Sequence, residues 1–270
     1  MNKYAVIGNP IHHSLSPTIH SQFAKQIGLS ISYEKILAPL DGFTVTAKNF
    51  VSSGALGFNI TVPFKVEAYD LVNEYTLNAK TSGAVNTIKV KNGTLYGENT
   101  DGIGLVNDLC NNLQQSIKGK DILILGAGGA TQGILLPLLE CQPNRILVAN
   151  RTKTKSLQLA SKYNEYGKVC GFGLDQIKGK PVDIIINATS ASLDGKMPEI
   201  PPGVVSGSLC YDLMYGKQTP FMQWAIENSA LEVTDGLGML VEQAASAFSF
   251  WHGITPETKE VIKSLRETID

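Results

Sequence analysis

Two α/β domains, the first on a mixed but mainly parallel sheet, are the fold this sequence predicts. Three observations lead there. Strand-like aliphatic runs alternate with helix-like stretches between residues 4 and 63, an order that calls for helical crossovers between parallel strands. The same alternation restarts at residue 120 behind a glycine-rich turn. A chain of 270 residues also exceeds one average domain, at roughly 100–200 residues each, and falls short of three.

Each element has its own justification. YAVIG at 4–8 is a short strand, followed by the turn NPIHHSLSP. Ser16 is placed as the N-cap of the next helix and Pro17 at its first position, because a serine hydroxyl accepts from a free first-turn N–H and proline has none to leave unsatisfied. Ile19, Phe23 and Ile27 give that helix an apolar stripe, and Gly28 ends it. ISYEKIL at 31–37 is the second strand, TAKNFVSS at 46–53 a helix, and LGFNITVP at 56–63 the third strand, stopped by Pro63. Asn92-Gly93 between NTIKVK and TLYGEN is a type I′ hairpin signal, so an antiparallel edge follows. A helical stretch comes after NTDG at 99–102. The second half then reads strand ILIL, glycine turn, helix to Leu139, strand RILVAN, helix to Tyr163, and the strands VDIIINA and LCYDLM. Two helices, near 238–252 and 255–268, complete the chain. Their stripe of Leu240, Ala244, Ala247, Phe248 and Trp251 needs a surface, and the first sheet has few helices of its own. A discontinuous first domain of 1–101 plus 238–270 is therefore expected, with 102–237 as the second.

Composition removes several classes of function. Charged residues are 17% of the chain, below the roughly 25% of average soluble proteins, and hydrophobic residues are 43%, as in a compact globular protein. A net charge of −1 and the lack of any Lys/Arg run leave nucleic acid no electrostatic footprint. The longest apolar stretches, such as ILLPLL at 134–139, fall far short of the ~20 residues a spanning helix needs, and the first residues lack the order of a secretion signal. Cys110, Cys141, Cys170 and Cys210 form no CxxC pair, and His12, His13, His20 and His252 show no metal spacing. Reduced thiols, no metal, no membrane and a cytoplasmic location are the expectations.

GAGGATQG at 126–133 lies between a strand and a helix, the context in which backbone N–H groups at a helix N-terminus receive a pyrophosphate. Gly126, Ala127, Gly128, Gly129 and Ala130 form that turn. Thr131 occupies the place of the third glycine of a strict fingerprint, and a ligand-free glycine turn is the competing reading. The next strand decides the cofactor. Binders of NAD carry an acid there, about 20 positions past the glycines, for the ribose 2′-OH. Here Asn150 and Arg151 stand at that place, followed by Thr152, Lys153 and Lys155. A guanidinium with hydroxyl and ammonium donors suits a 2′-phosphate, so NADP(H) is expected. A plain solvated helix start would favour acids instead.

A nicotinamide domain beside a second α/β domain implies hydride transfer in a cleft between them, with closure to exclude water. Reducing a ketone also needs a proton from a side chain near the carbonyl oxygen. In open α/β sheets such groups sit at the carboxyl ends of the strands. Lys65 follows the third strand, and Asp101 lies where the hairpin hands the chain to the linking helix. A lysine beside an aspartate stays charged and can donate to a developing alkoxide. A snorkelling surface lysine is the plainer alternative for Lys65.

The assembled segments resemble the shikimate dehydrogenase family over essentially the whole chain. The resemblance rests on GNPIHHSLSP at 8–17, NITVPFK at 59–65, GAVNT at 83–87, GENTDGIG at 97–104, GAGGA at 126–130, NRT at 150–152, NATS at 187–190 and DGLGMLVEQAA at 235–245. It implies a substrate domain and a Rossmann-type NADP-binding domain, and reversible NADPH-dependent reduction of 3-dehydroshikimate to shikimate in aromatic amino-acid biosynthesis. It implies that Ser14 and Ser16 hold the substrate carboxylate, and that Asn59, Thr61, Asn86, Tyr215 and Gln243 contact the ring. Lys65 and Asp101 become the catalytic pair that also touches substrate. Which of them carries the proton stays open in both motifs; Lys65 is favoured as donor to the C3 oxygen, with Asp101 orienting it. The pyrophosphate falls on Gly126 to Ala130, and the 2′-phosphate on Asn150, Arg151, Thr152 and Lys155. Thr189, Leu213, Gly236 and Met239 line the nicotinamide end, although Leu213 and Met239 fit equally as core. One departure stands out: Ala191-Ser192 follow NATS where many relatives have a glycine close behind. A monomer or homodimer acting on this small molecule is expected. An NAD-using enzyme of broader quinate/shikimate specificity and a non-catalytic NADP-binding sensor remain as alternatives. The former is disfavoured by the missing acid at 150–151, the latter by Lys65 and Asp101 together.

Overall fold

The structure, a computed structural model, describes residues 2–189, 191 and 195–269. Ser190 and Ser192, the end of NATS and half of the departure noted after it, lie outside the described residues. The chain groups into two compact units. One runs through Gly104 and takes in Leu240–Lys263; the other comprises Leu105–Met239 and the residues from Ser264 onward.

The first unit contains β1 (Asn2–Gly8), α1 (Ser16–Gln26), β2 (Ile31–Leu37), α2 (Phe43–Ser52), β3 (Ala55–Ile60), α3 (Lys65–Leu71), β4 (Glu74–Tyr75), α4 (Leu77–Ser82), β5 (Thr87–Lys91) and β6 (Thr94–Glu98). The sheet order is β2-β1-β3-β5-β6-β4. β1 pairs parallel with both β2 and β3, while β5 runs antiparallel to β3 and β6, so the sheet is mixed as its sequence predicts. Asn92 and Gly93 turn the hairpin with φ of 52° and 78°. Sequence reasoning gave no element to residues 65–85, where α3, β4 and α4 lie.

Two local expectations are corrected. Ser16 is the first residue of α1 rather than its cap: Leu15 holds the cap position and no side chain bonds to the first turn from there. The Ser14 hydroxyl accepts the Ser16 N–H at 3.3 Å, a local serine turn that takes over part of the cap's work. Helix α2 begins at Phe43, three residues before the predicted 46. The Glu67 carboxylate accepts from the N–H (3.3 Å) and hydroxyl (2.9 Å) of Thr44, and that distant partner extends the first turn.

The second unit begins in α5 (Asp101–Asn107), continued by a π-helical turn Asp108–Asn112. It then alternates β7 (Asp121–Leu125), α6 (Gly129–Glu140), β8 (Arg145–Asn150), α7 (Lys153–Tyr163), β9 (Val169–Gly173), β10 (Ile184–Asn187), β11 (Leu209–Asp212), α8 (Pro220–Glu227) and β12 (Glu232–Thr234). The strands pair in parallel throughout, in the order β12-β11-β10-β7-β8-β9. Counted within the unit this is the doubly wound Rossmann order, reversing between β7 and β10. β9, α8 and β12 went unread in the sequence. Continuous Ile and Leu runs bury β7 and β10 on both faces, as such a sheet requires.

The chain ends in α9 (Leu237–His252) and α10 (Lys259–Ile269). Ala244, Ala247, Phe248 and Trp251 are buried, and Trp251 packs on Tyr4 of β1 and donates to the Ile88 carbonyl of β5 at 2.9 Å. A side chain at Gly57 of β3 would stand 2.5 Å from the indole nitrogen, so only glycine admits this contact. The tail of α10, Ser264 onward, groups with the second unit, where Arg266 forms a two-pronged ion pair with Asp235 (2.6 and 2.7 Å).

Candidate active site

The carboxyl ends of β3 and β6 and the first residues of α3 and α5 bring the catalytic candidates together. Lys65 opens α3, and its carbonyl accepts the Val85 N–H at 2.8 Å, which ties the helix start to the segment before β5. Asp101 opens α5, where a carboxylate is favoured by the helix dipole, and its N–H donates to Asn99 Oδ1 at 3.2 Å. Lys65 Nζ lies 2.6 Å from Asp101 Oδ2, the two side chains being 29% and 11% exposed. The lysine therefore sits against the acid in a half-sheltered position rather than extending into solvent.

Asp101 is itself held. Asn86 Nδ2 donates to Asp101 Oδ1 at 2.7 Å, while Asn86 Oδ1 accepts the Thr100 N–H at 2.9 Å. The Thr87 hydroxyl donates to Asn86 Oδ1 as well, at 2.9 Å, and accepts from Asn59 Nδ2 at 3.0 Å. Asn59 Oδ1 in turn accepts the Tyr33 hydroxyl at 2.7 Å. Gln243 of α9 joins at the Thr100 hydroxyl, 3.3 Å away. Of the predicted substrate residues, Asn59, Asn86, Gln243, Lys65 and Asp101 thus belong to one network. Ser14 and Ser16 pair hydroxyl to hydroxyl at 3.1 Å, and the Ser16 side chain also interacts with Tyr33. Thr61 lies one residue past β3, its N–H on the Ile7 carbonyl at 3.0 Å, and Tyr215 belongs to the second unit, where burial pushes its phenol pKa up.

Tyr33, Thr87 and Thr100 were missed by sequence reasoning. Tyr33 reads as an ordinary strand residue, and its link to Asn59 spans 26 positions. Its ring stacks on buried His20 at 4.5 Å, and burial drives that histidine's pKa down to about 3, so it packs as a neutral ring. Thr87 is the last letter of GAVNT, and only that motif could have flagged it.

In the second unit the glycine turn meets the sheet's switch point. Gly126 has φ +105°, a conformation that favours glycine, and a Cβ there would crowd the Ala188 carbonyl oxygen at 3.1 Å. Thr131 fits the third-glycine place because its buried hydroxyl donates back to the Gly126 carbonyl at 2.9 Å. Helix α6 has Gly128 at its cap position and no side-chain cap, leaving first-turn N–H groups for an anion. A groove of about 680 Å³ is lined by Gly126 to Ala130, Asn150, Arg151 and Thr189, and also by Lys196 and Glu199, which no motif announced. Arg151, Thr152, Lys153 and Lys155 are exposed at the start of α7, whose first turn holds no acid, and among the described residues none of these cations has an ion-pair partner. Thr152 and Lys155 do not line the groove, and neither do Leu213, Gly236 or Met239. Gly236 donates to the Met214 carbonyl at 2.8 Å, and the Met239 N–H to the buried Tyr211 hydroxyl at 3.3 Å. Thr189 donates to Asn187 Oδ1 at 2.7 Å.

A parallel Rossmann unit with an uncapped glycine turn, joined in one chain to a mixed α/β unit bearing a Lys–Asp pair, defines a dinucleotide-dependent dehydrogenase class. Comparison with known proteins narrows this. The shikimate dehydrogenase substrate-binding domain matches residues 6–88, the shikimate/quinate 5-dehydrogenase domain 108–194, and the shikimate 5′-dehydrogenase C-terminal domain 236–266. The NADP(+) shikimate dehydrogenase of Ruthia magnifica subsp. Calyptogena magnifica is 61% identical over 98% of this chain and all of its own length. Among solved structures, an Ael1 enzyme from Pseudomonas putida superposes with a TM-score of 0.94 at 40% identity, covering 98% of both chains. Shikimate 5-dehydrogenase from Thermus thermophilus, solved with NADP(H) and shikimate, gives 0.88 at 31% identity, covering 99% of both. This chain belongs to the shikimate dehydrogenase family.

Proposed function

We infer that the chain is an NADP-dependent shikimate dehydrogenase, reducing 3-dehydroshikimate reversibly to shikimate in aromatic amino-acid biosynthesis. The observation that carries this reading is the 2.6 Å contact of Lys65 with Asp101 inside an array of amides and hydroxyls suited to a polyhydroxylated ring. Lys65 donates its proton to the C3 oxygen as that carbon is reduced, and Asp101 keeps the ammonium aimed. Asn59, Thr61, Asn86, Tyr215 and Gln243 recognise ring hydroxyls, and Ser14 and Ser16 the carboxylate. The paired serines at the start of α1 support that role.

The residues fit NADP(H). Among the described residues, nothing beyond the chain neighbours and the helix's own backbone lies within 4 Å of where a Cβ on Gly128 or Gly129 would stand, so a pyrophosphate can approach that backbone. The unpaired cations after β8 suit a 2′-phosphate and would repel no part of it. When bound, the nicotinamide supplies the hydride. Gly126 to Ala130 hold the pyrophosphate, Asn150, Arg151, Thr152 and Lys155 the 2′-phosphate, and Thr189, Leu213, Gly236 and Met239 the nicotinamide end.

In this reading residues 1–101 plus 238–270 serve as the substrate domain and 102–237 as the NADP-binding domain. The enzyme works in the cytoplasm as a monomer or homodimer, with no nucleic-acid partner. The net charge of −1 and four free cysteines support that assignment, and among the described residues no helix is long and apolar enough to cross a membrane. The test is reduced-nicotinamide absorbance with shikimate or quinate and either NADP or NAD. Shikimate with NADP should react fastest. Faster turnover of quinate with NAD would point to the broader enzyme instead, and no signal with shikimate and either dinucleotide would overturn the reading.

A further inference from the structure

We propose that Thr87 is a positioning residue that fixes the amide sense of Asn59 and thereby sets substrate affinity, an inference that rests on the reading of this site as the shikimate site. One donor in the network admits a single assignment, the Thr100 backbone N–H. It donates to Asn86 Oδ1 at 2.9 Å, so that end of Asn86 is the oxygen, and the nitrogen faces Asp101 Oδ1 at 2.7 Å. An oxygen at this place forces the Thr87 hydroxyl, 2.9 Å away, to spend its one proton there. The Thr87 oxygen must then accept, and the atom 3.0 Å beyond it must be Asn59 Nδ2. The second Nδ2 proton goes to the Asn86 carbonyl at 3.3 Å, so both donors of Asn59 point inward. Its oxygen is left to the Tyr33 hydroxyl at 2.7 Å and to one further donor. Asn59 therefore meets a ring hydroxyl as an acceptor only. Thr87 is fully buried and Asn59 and Asn86 nearly so, so no bulk water replaces a lost bond.

Removing the Thr87 hydroxyl breaks this chain at its middle. Asn86 keeps its sense through Thr100 and Asp101, so the catalytic pair stays oriented, whereas Asn59 loses the shorter of its two inward bonds and is held only by the 3.3 Å bond to the Asn86 carbonyl. In steady-state assays Thr87→Val should raise the KM for shikimate by roughly tenfold, the scale of one buried hydrogen bond, while kcat changes by less than about threefold and the KM for NADP is unmoved. Thr87→Ser should restore the wild-type values. In an Asn59→Ala background, Thr87→Val should change the KM for shikimate by less than about twofold, since its route of action is gone. A readout without ligand accompanies these: the Asn59 side-chain NH2 resonances should be protected from exchange in wild type and Thr87→Ser, and shifted or exchanging in Thr87→Val.

A Thr87→Val enzyme with wild-type KM and unmoved Asn59 resonances overturns the proposal. So does a Thr87→Ser enzyme as impaired as Thr87→Val, or full additivity with Asn59→Ala. If the valine variant does not fold, the Asn59 resonances of Tyr33→Phe decide, because that change keeps the ring on His20 and removes the donor on the other side of Asn59, together with the hydroxyl's interaction with Ser16. The variant's KM for shikimate should rise severalfold with moved Asn59 resonances, and unmoved resonances sink the idea. Should the wild type fail to oxidise shikimate while the Asn59 resonances behave as stated, the functional reading falls and the positioning role stands. The reverse pattern removes the positioning role alone.

Discussion

In the first unit Asn59, Thr87, Asn86, Thr100, Asp101 and Lys65 are bonded to one another. In the second, α6 starts without a side-chain cap, and the cations after β8 have no ion-pair partner among the described residues. The two regions serve different recognition problems. A small hydroxylated ring is told from its isomers by donors and acceptors fixed in advance, so that little ordering is lost on binding. A dinucleotide brings its own charges, and the region that receives it does best to keep donors and cations unspent until those charges arrive.

The largest effect should come from breaking the prepaired side at its reactive end. Lys65→Ala removes the proposed proton donor and leaves Asp101, 11% exposed, without its cation. Turnover should fall on the order of 10²-fold or more. Binding of NADP, measured by fluorescence titration, should stay unchanged, because the proposed role of that lysine is toward the substrate. A sensor protein without catalysis would show no turnover to lose.

The open side should break differently. Replacing Arg151 with aspartate puts a carboxylate where the 2′-phosphate is proposed to sit. Preference for NADP over NAD, taken as the ratio of kcat/KM values, should drop by roughly 10- to 100-fold, because repulsion replaces a charge-assisted clamp. The KM for shikimate should hardly move. An unchanged ratio would mean that the exposed cations of α7 are ordinary surface charges.

What was legible in the sequence follows the same division. On the open side the legible signals are local, a glycine turn between a strand and a helix and a basic run where an acid would select NAD, while Thr152, Lys155, Leu213, Gly236 and Met239 do not line the groove. The departure at Thr131 was visible too, but not its remedy, the bond from its hydroxyl to the Gly126 carbonyl. On the prepaired side, Lys65 and Asp101 were found from strand ends. The residues that connect them were not, since Tyr33 and Asn59, or Asn86 and Asp101, meet only after the chain folds. Local turn chemistry was reliable at Asn92-Gly93 and misjudged at Ser16, where a neighbouring serine hydroxyl takes the first free N–H. The elements that went unread, α3, β4, α4, β9, α8 and β12, are short. None is longer than 8 residues, too few for a period to stand out.

One part of the second unit breaks the pattern, and its pH response can sharpen the contrast. Asp235, beside the proposed nicotinamide residue Gly236, is held by Arg266 and accepts the N–H groups of Gly216 and Leu237. Burial alone would raise its pKa, but the Arg266 bonds and charge prevail and hold it below the ordinary carboxylate value. A folded pKa below the unfolded ~3.9 means stabilisation that is complete above that pH and lost as pH falls through the folded value. Arg266→Met should cost about 1–3 kcal/mol by urea unfolding at neutral pH, less than for a fully buried pair because Arg266 is 40% exposed. With the cation gone burial dominates, the Asp235 pKa rises, and acid unfolding should begin at higher pH than in the wild type. An acid transition at the same pH would show that Arg266 does not set that carboxylate.

The gentlest probe of the contrast is salt. Raising ionic strength from 0.15 M to 1 M shortens the screening length from about 8 Å to 3 Å, which weakens exposed charge pairs and leaves sheltered hydrogen bonds nearly intact. Arg151, Lys153 and Lys155 are exposed and attract the 2′-phosphate across solvent, so the KM for NADP should rise severalfold over that range. Shikimate is also an anion, but the groups proposed for its carboxylate are the neutral hydroxyls of Ser14 and Ser16, and Lys65 is already engaged by Asp101 at 2.6 Å. Its KM should change by less than about twofold, as expected for recognition by neutral hydrogen bonds. Equal sensitivity of both constants in chloride and acetate salts would mean that long-range charge, not prearranged donors, captures the substrate, and the division between the two regions would fail.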